Sequence, residues 1–586
     1  MRFSSAALAL LLAAGAACAG GSSNGSSRFD GLLAEVWEFE LREDPIFATL
    51  VGDYRYDDRL PDVSTDALAR RDSVRRQFIN RIDEIDRAAL PRQRQITYSM
   101  LRQLLADAVA EYDFGSHRMP ILADDGFHIA FAQLPTQMPF ASTGDYEKYV
   151  SRLRAFPAYV DQQITQMRAG LESGFSMPRV VLDGYEVTIA THVVTDPEQS
   201  LFWKPFATFP EAVAAADRER LRAAGRSAIA ESIVAGYRAF TDFMTLEYMP
   251  KTRTSIGASE LPRGREYYAH RVRYFTTLNV TPEDVHKLGL EEVARIRAEM
   301  DSIIRTVGFR GDFAAFLRYL RTDPRFYART PEELLAHASR LAKRADAILP
   351  SLFGRLPRQP YGVAPVPDHL APKYTTGRYI QAAPGSTQPG YYWVNTYNLS
   401  NRPLYALPAL TLHEAVPGHH LQVALGQELE GLPPLRRFMY LSAFGEGWGL
   451  YSEFLGIESG MYDDAYAHFG RLTYEMWRAC RLVVDTGIHS MGWTREQVLD
   501  YLASNTALPL HEVRTETDRY ISWPGQALAY KMGELTIRRL RREARETLGS
   551  RFDVRAFHDV VLASGSIPLT VLEEQVRAWA DSARAP

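Results

Sequence analysis

The chain has 586 residues, is 46% hydrophobic and 24% charged, and carries a formal net charge of −4. These are ordinary globular values, and the length is generous for one core, so a large body of two lobes is expected. Lys+Arg (67) nearly balances Asp+Glu (71) with no long basic block, which excludes the concentrated cationic surface that nucleic acid requires.

Met1-Arg2-Phe3 followed by an Ala/Leu run to Cys18 has the pattern of an export signal over residues 1–18, too short to span a membrane. Residues 19–28 are rich in Gly and Ser and are expected to form a flexible tether. Small residues before Cys18 and a tether behind it resemble a bacterial lipoprotein. Gly15 stands where that signal carries Leu, so simple secretion is the alternative. The expected location is the periplasm or the outer membrane, with membrane contact only through a lipid on Cys18. Cys480 is the one other cysteine, so a thiolate zinc site is excluded and any metal must use His and carboxylate. No second apolar run of about 18 residues exists, so the body is expected to be soluble.

From residue 29 onward helix signals dominate, and a mainly α fold is expected. Thr281-Pro282-Glu283-Asp284 opens one helix, with Val285, Leu288, Ile296, Met300 and Ile303 near helical spacing. Thr330-Pro331-Glu332-Glu333 opens another, ahead of Leu334, Ala338, Leu341 and Ala345, and Thr494 with Gln497 forms a capping box. A lobe boundary is placed near residue 275. Leu356 to Pro389 is rich in Pro, Gly and Thr and predicts a loop. Gly390 to Thr396 is aromatic and β-branched and predicts a strand just upstream of the most informative segment.

That segment is Leu412-His413-Glu414-Ala415-Val416-Pro417-Gly418-His419-His420-Leu421. A zinc hydrolase needs two imidazoles on one side of the metal and a carboxylate beside its water. The usual solution places His at i and i+4 of a helix with Glu at i+1. Here i+4 is Pro417, and His419, at i+6, lies about 240° round an unbroken helix. Pro417-Gly418 is expected to kink or bulge the helix and return His419 to the place of an i+4 ligand. His420, at i+7, is about 10 Å along the axis and is the less favoured alternative. The third ligand is assigned to Glu446 in Phe444-Gly445-Glu446-Gly447-Trp448-Gly449, with Glu453 as substitute on the same helix. A His-Glu pair alone says little, since His511-Glu512 also occurs. What distinguishes this one is its conjunction with Gly-His-His and the later Glu-Gly-Trp. A capped, kinked core helix is the competing reading.

The string His413-Glu414-Ala415-Val416-Pro417-Gly418-His419-His420-Leu421-Gln422 resembles the hallmark of the bacterial domain-of-unknown-function family 885. The resemblance runs from Asp44-Pro45 and Gly52-Asp53-Tyr54 to Asp485-Thr486-Gly487-Ile488-His489 and Pro524-Gly525-Gln526-Ala527-Leu528-Ala529-Tyr530. That family is similar to helical zinc peptidases with a Glu third ligand, such as thimet oligopeptidase, angiotensin-converting enzyme and a bacterial carboxypeptidase group. The likeness implies a two-lobed, zincin-like metallopeptidase fold with a small sheet beside the metal helix. It also implies one Zn²⁺ and a peptide or small amide substrate. Gly before the second ligating His, common in those enzymes, is here Gly418-His419.

In the expected mechanism zinc activates a water and Glu414 is its general base, passing the proton to the leaving amine. Tyr530, then His489, are candidate oxyanion donors. Arg514, Arg519 and Tyr520 are candidates for a substrate carboxylate. In the resembling peptidases an edge strand holds the substrate. Strand 390–396 is assigned that place, with Asn395 as a substrate contact. The alternatives are a zinc hydrolase of a non-peptide amide or ester, and a non-catalytic ligand-binding lipoprotein.

Overall fold

In the computed structural model, which describes residues 6–368, 371–382 and 388–584, the chain forms two units. The first comprises Met1–Pro120, Gly126–Phe175 and Gly184–Lys251, and the second Ile121–Asp125, Ser176–Asp183 and Thr252–Pro586. The main division therefore falls at 251/252, upstream of the expected position near 275. Met1, Arg2 and Phe3 lie outside the described residues, as does the Cys18 side chain.

The first unit is helical: α1 (Ala6–Glu43), α2 (Thr65–Asp83), α3 (Arg92–Phe114) and α4 (Thr143–Ser173). Ser64 caps α2, and Ser142 with Asp145 forms a capping box on α4, each satisfying amides that the first turn leaves open. Helix α1 takes in the stretch read as a tether. Phe29, Leu32, Val36 and Phe39 of this helix are buried.

In the second unit a helix over Gly264–Thr276 precedes α5 (Pro282–Thr306) and α6 (Pro331–Leu352), which are capped by Thr281 and Thr330 where the sequence marks them. Three strands follow: β1 (Tyr361–Pro365), β2 (Gly377–Ile380) and β3 (Gly390–Val394). Their order is β1-β3-β2, with β1 parallel and β2 antiparallel to β3. Two corrections arise here. Residues 356–389 are not all loop, since β1 and β2 lie within them; four- and five-residue strands punctuated by Gly and Pro carry no period long enough to read. The aromatic strand is also central, not an edge, because it is paired on both sides.

The helices that follow the sheet include α7 (Leu407–Glu414), α8 (His419–Gln427), α9 (Ser442–Glu458), α10 (Ala465–Met491), α11 (Arg495–Asn505), α12 (Leu510–Ser522) and α13 (Ala529–Leu548), with Leu569–Arg584 near the end. Thr494 and Gln497 form the expected box on α11. Helix α10 is buried without interruption from Phe469 to His489, so its charges need partners inside the protein. Glu475 meets Arg471 at 2.6 Å and Lys531 at 2.8 Å, and Arg481 meets Glu516 at 2.9 Å. Asp485, pushed up to about 7 by burial, accepts from the Tyr268 hydroxyl at 2.6 Å and the Gly525 amide. Helices α9 and α13 meet at bare backbone: a Cβ on Gly447 would lie 2.5 Å from the Gly533 Cα, and one on Gly533 would overlap the Ala443 carbonyl. Among the described residues no helix is long and apolar enough to cross a membrane.

Candidate metal centre

The Pro-Gly break does more than kink the helix. Helix α7 ends at Glu414 and α8 begins at His419. Ala415 and Gly418 leave helical geometry with ψ of −114° and −131°, and the Val416–Pro417 peptide is cis. Gly418 is required by space, since a Cβ there would overlap the His413 and Leu412 carbonyl oxygens. The Trp448 indole of α9 donates to the Pro417 carbonyl at 2.8 Å and so ties the break to the neighbouring helix.

The break brings the two rings together edge-to-face, with centroids 4.8 Å apart. Glu446 of α9 closes the group: its Oε2 is 3.5 Å from His413 Nε2 and 3.4 Å from His419 Nε2. One ligand atom from each of His413, His419 and Glu446 falls within 4.8 Å of the others. The glycines around Glu446 make this possible. A Cβ on Gly449 would stand 2.7 Å from the His413 ring, and one on Gly445 would overlap the Tyr440 ring. Tyr440 thereby reaches over to donate to Glu446 Oε1 at 3.2 Å. Glu453, one candidate for third ligand, stands behind the group: its Oε1 is 2.8 Å from His413 Nδ1 and 3.5 Å from Arg478. It orients the imidazole from the outer shell.

The donor set fits zinc. Ligands on a tetrahedral zinc with bonds of about 2.1 Å stand about 3.4 Å apart, which is the spacing of Glu446 from both imidazoles. The electrostatics agree. Burial disfavours a charged His413, but hydrogen bonds to Glu446 and Glu453 win and push it up to about 10. Burial likewise opposes charge on Glu446, yet the two imidazoles hold it well below the usual carboxylate range. The pocket favours positive charge at its centre, which a divalent cation supplies. If Glu453 acts as an orienting group, Glu453→Gln is expected to weaken zinc affinity about 10–100-fold and leave the far-ultraviolet circular dichroism unchanged, as measured by chelator competition.

Glu414 projects from the end of α7, and its Oε2 accepts from the Tyr379 amide of β2 at 2.8 Å. The Asn395 amide bonds the Thr376 carbonyl, so Tyr379, paired with Tyr392 of β3, falls at a non-hydrogen-bonded position of the ladder and its amide points to the outer side of β2. The edge strand bordering Glu414 is therefore β2, and the assignment of that place to 390–396 is corrected. Asn395 is fully buried; its amide donates to the carbonyls of Ala371, Tyr374 and Thr375, and its oxygen accepts from the Tyr397 amide. It shapes the turn into β2 and has no group to offer a substrate.

The other predicted residues divide by burial. His420 is turned away from the trio: its ring nitrogens meet the Tyr379 hydroxyl at 3.1 Å and the Gln359 carbonyl at 3.0 Å, and burial lowers it to about 4. His489 is fully buried between the Ala258 amide and the Tyr520 carbonyl, and burial lowers it to about 3. Both nitrogens are committed, so it is no oxyanion donor, and Asp485 does not pair with it. The Tyr520 hydroxyl accepts from Trp477 and Arg481, each at 2.8 Å, which makes it a core clasp instead of a substrate contact. Arg514 is exposed and bonds back to Leu510 of its own helix. It lies about 140° round the helix from Arg519, away from the buried face. Tyr530 remains near the centre: its ring packs under the Arg481 guanidinium at 4.3 Å. Sequence reasoning missed Arg378, Tyr379 and Tyr440. The first two sit in the stretch read as loop, and Tyr440 carries no local signal beyond its nearness to Glu446.

The family described as "Bacterial protein of unknown function (DUF885)" matches residues 45–576. Among curated proteins none matches the chain. Among solved structures, a candidate lipoprotein of Colwellia psychrerythraea superposes with a TM-score of 0.88 at 27% identity, covering 96% of this chain and 99% of that one. A candidate lipoprotein of unknown function from Shewanella oneidensis has the same fold, with a TM-score of 0.71 at 17% identity over 94% of this chain and 99% of its own.

Proposed function

This chain belongs to the bacterial family DUF885, and we propose that it is a zinc-dependent hydrolase of peptides, with His413, His419 and Glu446 as the protein ligands. The observation that carries the reading is the convergence of two imidazole Nε2 atoms on one carboxylate oxygen at 3.5 and 3.4 Å. Zinc, when bound, supplies a Lewis acid that polarises a scissile carbonyl and makes a water more acidic.

The chain's own groups do the rest. The Tyr379 amide holds Glu414 by Oε2, which leaves Oε1 to take the water's proton and hand it to the departing amine. Tyr530 is the hydroxyl donor available to a developing oxyanion, while the Tyr440 hydroxyl is committed to Glu446 Oε1. The outer edge of β2 is the backbone available to an extended peptide, strand to strand. Export as a lipoprotein lipidated at Cys18 belongs to the same reading. It rests on the signal pattern and on likeness to a candidate lipoprotein over nearly the whole chain.

A peptide-library digest with the purified protein is expected to show cleavage that a zinc chelator abolishes and added zinc restores. Cleavage that proceeds equally with chelator present removes the zinc reading. A chelator-sensitive protein that spares all peptides but hydrolyses other amides moves the substrate class.

A further inference from the structure

His420 takes no part in the trio, yet it is bound on three sides around Glu414. Its backbone amide, in the first turn of α8, donates at 3.0 Å to the carbonyl of Ala415, the residue next to Glu414. Its buried ring lies in a slot between two tyrosines: the Tyr361 ring of β1, with centroids 4.7 Å apart, and the Tyr379 ring of β2, at 5.4 Å. The Gln359 carbonyl can only accept, so Nε2 carries the proton of the neutral ring and donates to it at 3.0 Å. Nδ1 is then left to accept, and the Tyr379 hydroxyl donates to it at 3.1 Å. Gly390 of β3 makes room for that contact, since a Cβ there would overlap the Tyr379 hydroxyl. The far wall of the slot is fixed as well, because the Tyr361 hydroxyl donates to Asp346 of α6 at 3.1 Å.

Tyr379 is therefore held at one end and holds at the other. Its hydroxyl reaches His420, and its amide donates to Glu414 Oε2 at 2.8 Å. The strand between them needs an anchor: β2 is four residues long and pairs only with β3, at the edge of the sheet. His419, whose Nε2 faces Glu446, stands immediately before His420. One turn of helix thus carries both a candidate metal ligand and the anchor of the strand that holds the carboxylate.

We infer that His420 is a positioning residue: through the Tyr379 hydroxyl it fixes β2, and through the Tyr379 amide it sets where the Glu414 carboxylate stands against the metal centre. The inference rests on the reading of Glu414 as general base. Tyr379→Phe removes the hydroxyl, keeps the amide and tests the link. It is expected to lower kcat about 10–100-fold, up to the loss that a misplacement of about 1 Å brings, with KM and zinc content unchanged. In Glu414→Gln protein the same substitution is expected to add less than about twofold, because groups that act through one another are not additive. A tyrosine that merely packs would lose the same factor in both backgrounds. His420→Asn, whose amide oxygen falls near the place of Nδ1, is expected to keep more turnover than His420→Gln, whose amide reaches the place of Nε2. Wild-type kcat in Tyr379→Phe, an equal loss in both backgrounds, or no advantage of Asn over Gln overturns the inference. A further arm needs no substrate: hydrogen exchange of the peptide spanning β2, followed by mass spectrometry, reports the outward Tyr379 amide. Tyr379→Phe and His420→Gln are each expected to speed that exchange about tenfold, and unchanged exchange overturns the link to His420. Failure of the base reading shows differently, as wild-type turnover by Glu414→Gln while the exchange contrast stands.

Discussion

Glu414→Gln is expected to keep its metal and its fold while losing about three orders of magnitude in turnover, within the range a positioned general base contributes. The fold should survive because, among the described residues, the hydrogen bond that ties this side chain down is the one from the Tyr379 amide to Oε2. A glutamine oxygen still accepts that hydrogen bond, more weakly than a carboxylate but with the same geometry. The metal should survive because Glu414 is not among the three groups whose atoms converge. What disappears is a carboxylate able to take and release a proton at Oε1. Metal analysis, thermal melting and steady-state kinetics on the same preparation check the three claims together. Wild-type-like hydrolysis by that variant would remove Glu414 from the mechanism, and a loss of metal would mean that it serves as a ligand.

How much of this was legible beforehand depends on what kind of signal each feature leaves. Caps are local, so Thr281, Thr330 and Thr494 were readable and stand where expected. The trio was readable because Pro417-Gly418 announces a break at the one place where the i+4 rule fails. The depth of the break was not readable: it separates two helices instead of bending one, and it is held by Trp448, whose contact with Pro417 spans 31 residues. Burial was the hidden variable elsewhere. His489, Tyr520 and Asn395 have the chemistry of site residues, but each is closed into the core with its polar atoms already matched. Arg514 and Arg519 look alike in sequence, yet helix geometry sends one to solvent and the other to the buried face. Arg378 was lost with β2, because a four-residue strand starting at Gly377 has no periodicity to betray it.

The second large effect concerns Glu446. Its carboxylate faces both imidazoles, while His413 has an independent anchor in Glu453 at 2.8 Å. Glu446→Ala should therefore leave the rings in place and remove one of the three proposed protein ligands. Losing an outer-shell partner already costs about 10–100-fold in metal affinity, and a direct ligand must cost more. The helix itself tolerates the change, since Ala is the strongest helix former and the packing of α9 on α13 is made by Gly447 and Gly533. Two measurements follow. Zinc content after dialysis should fall from one equivalent towards none. Saturating zinc should also raise the melting temperature of the wild type but not of the variant, because a ligand at 1,000 times its Kd stabilises the native state by about 4 kcal/mol. A variant that retains a full equivalent through dialysis would transfer the third position to another residue, with Glu453 the nearest carboxylate able to take it.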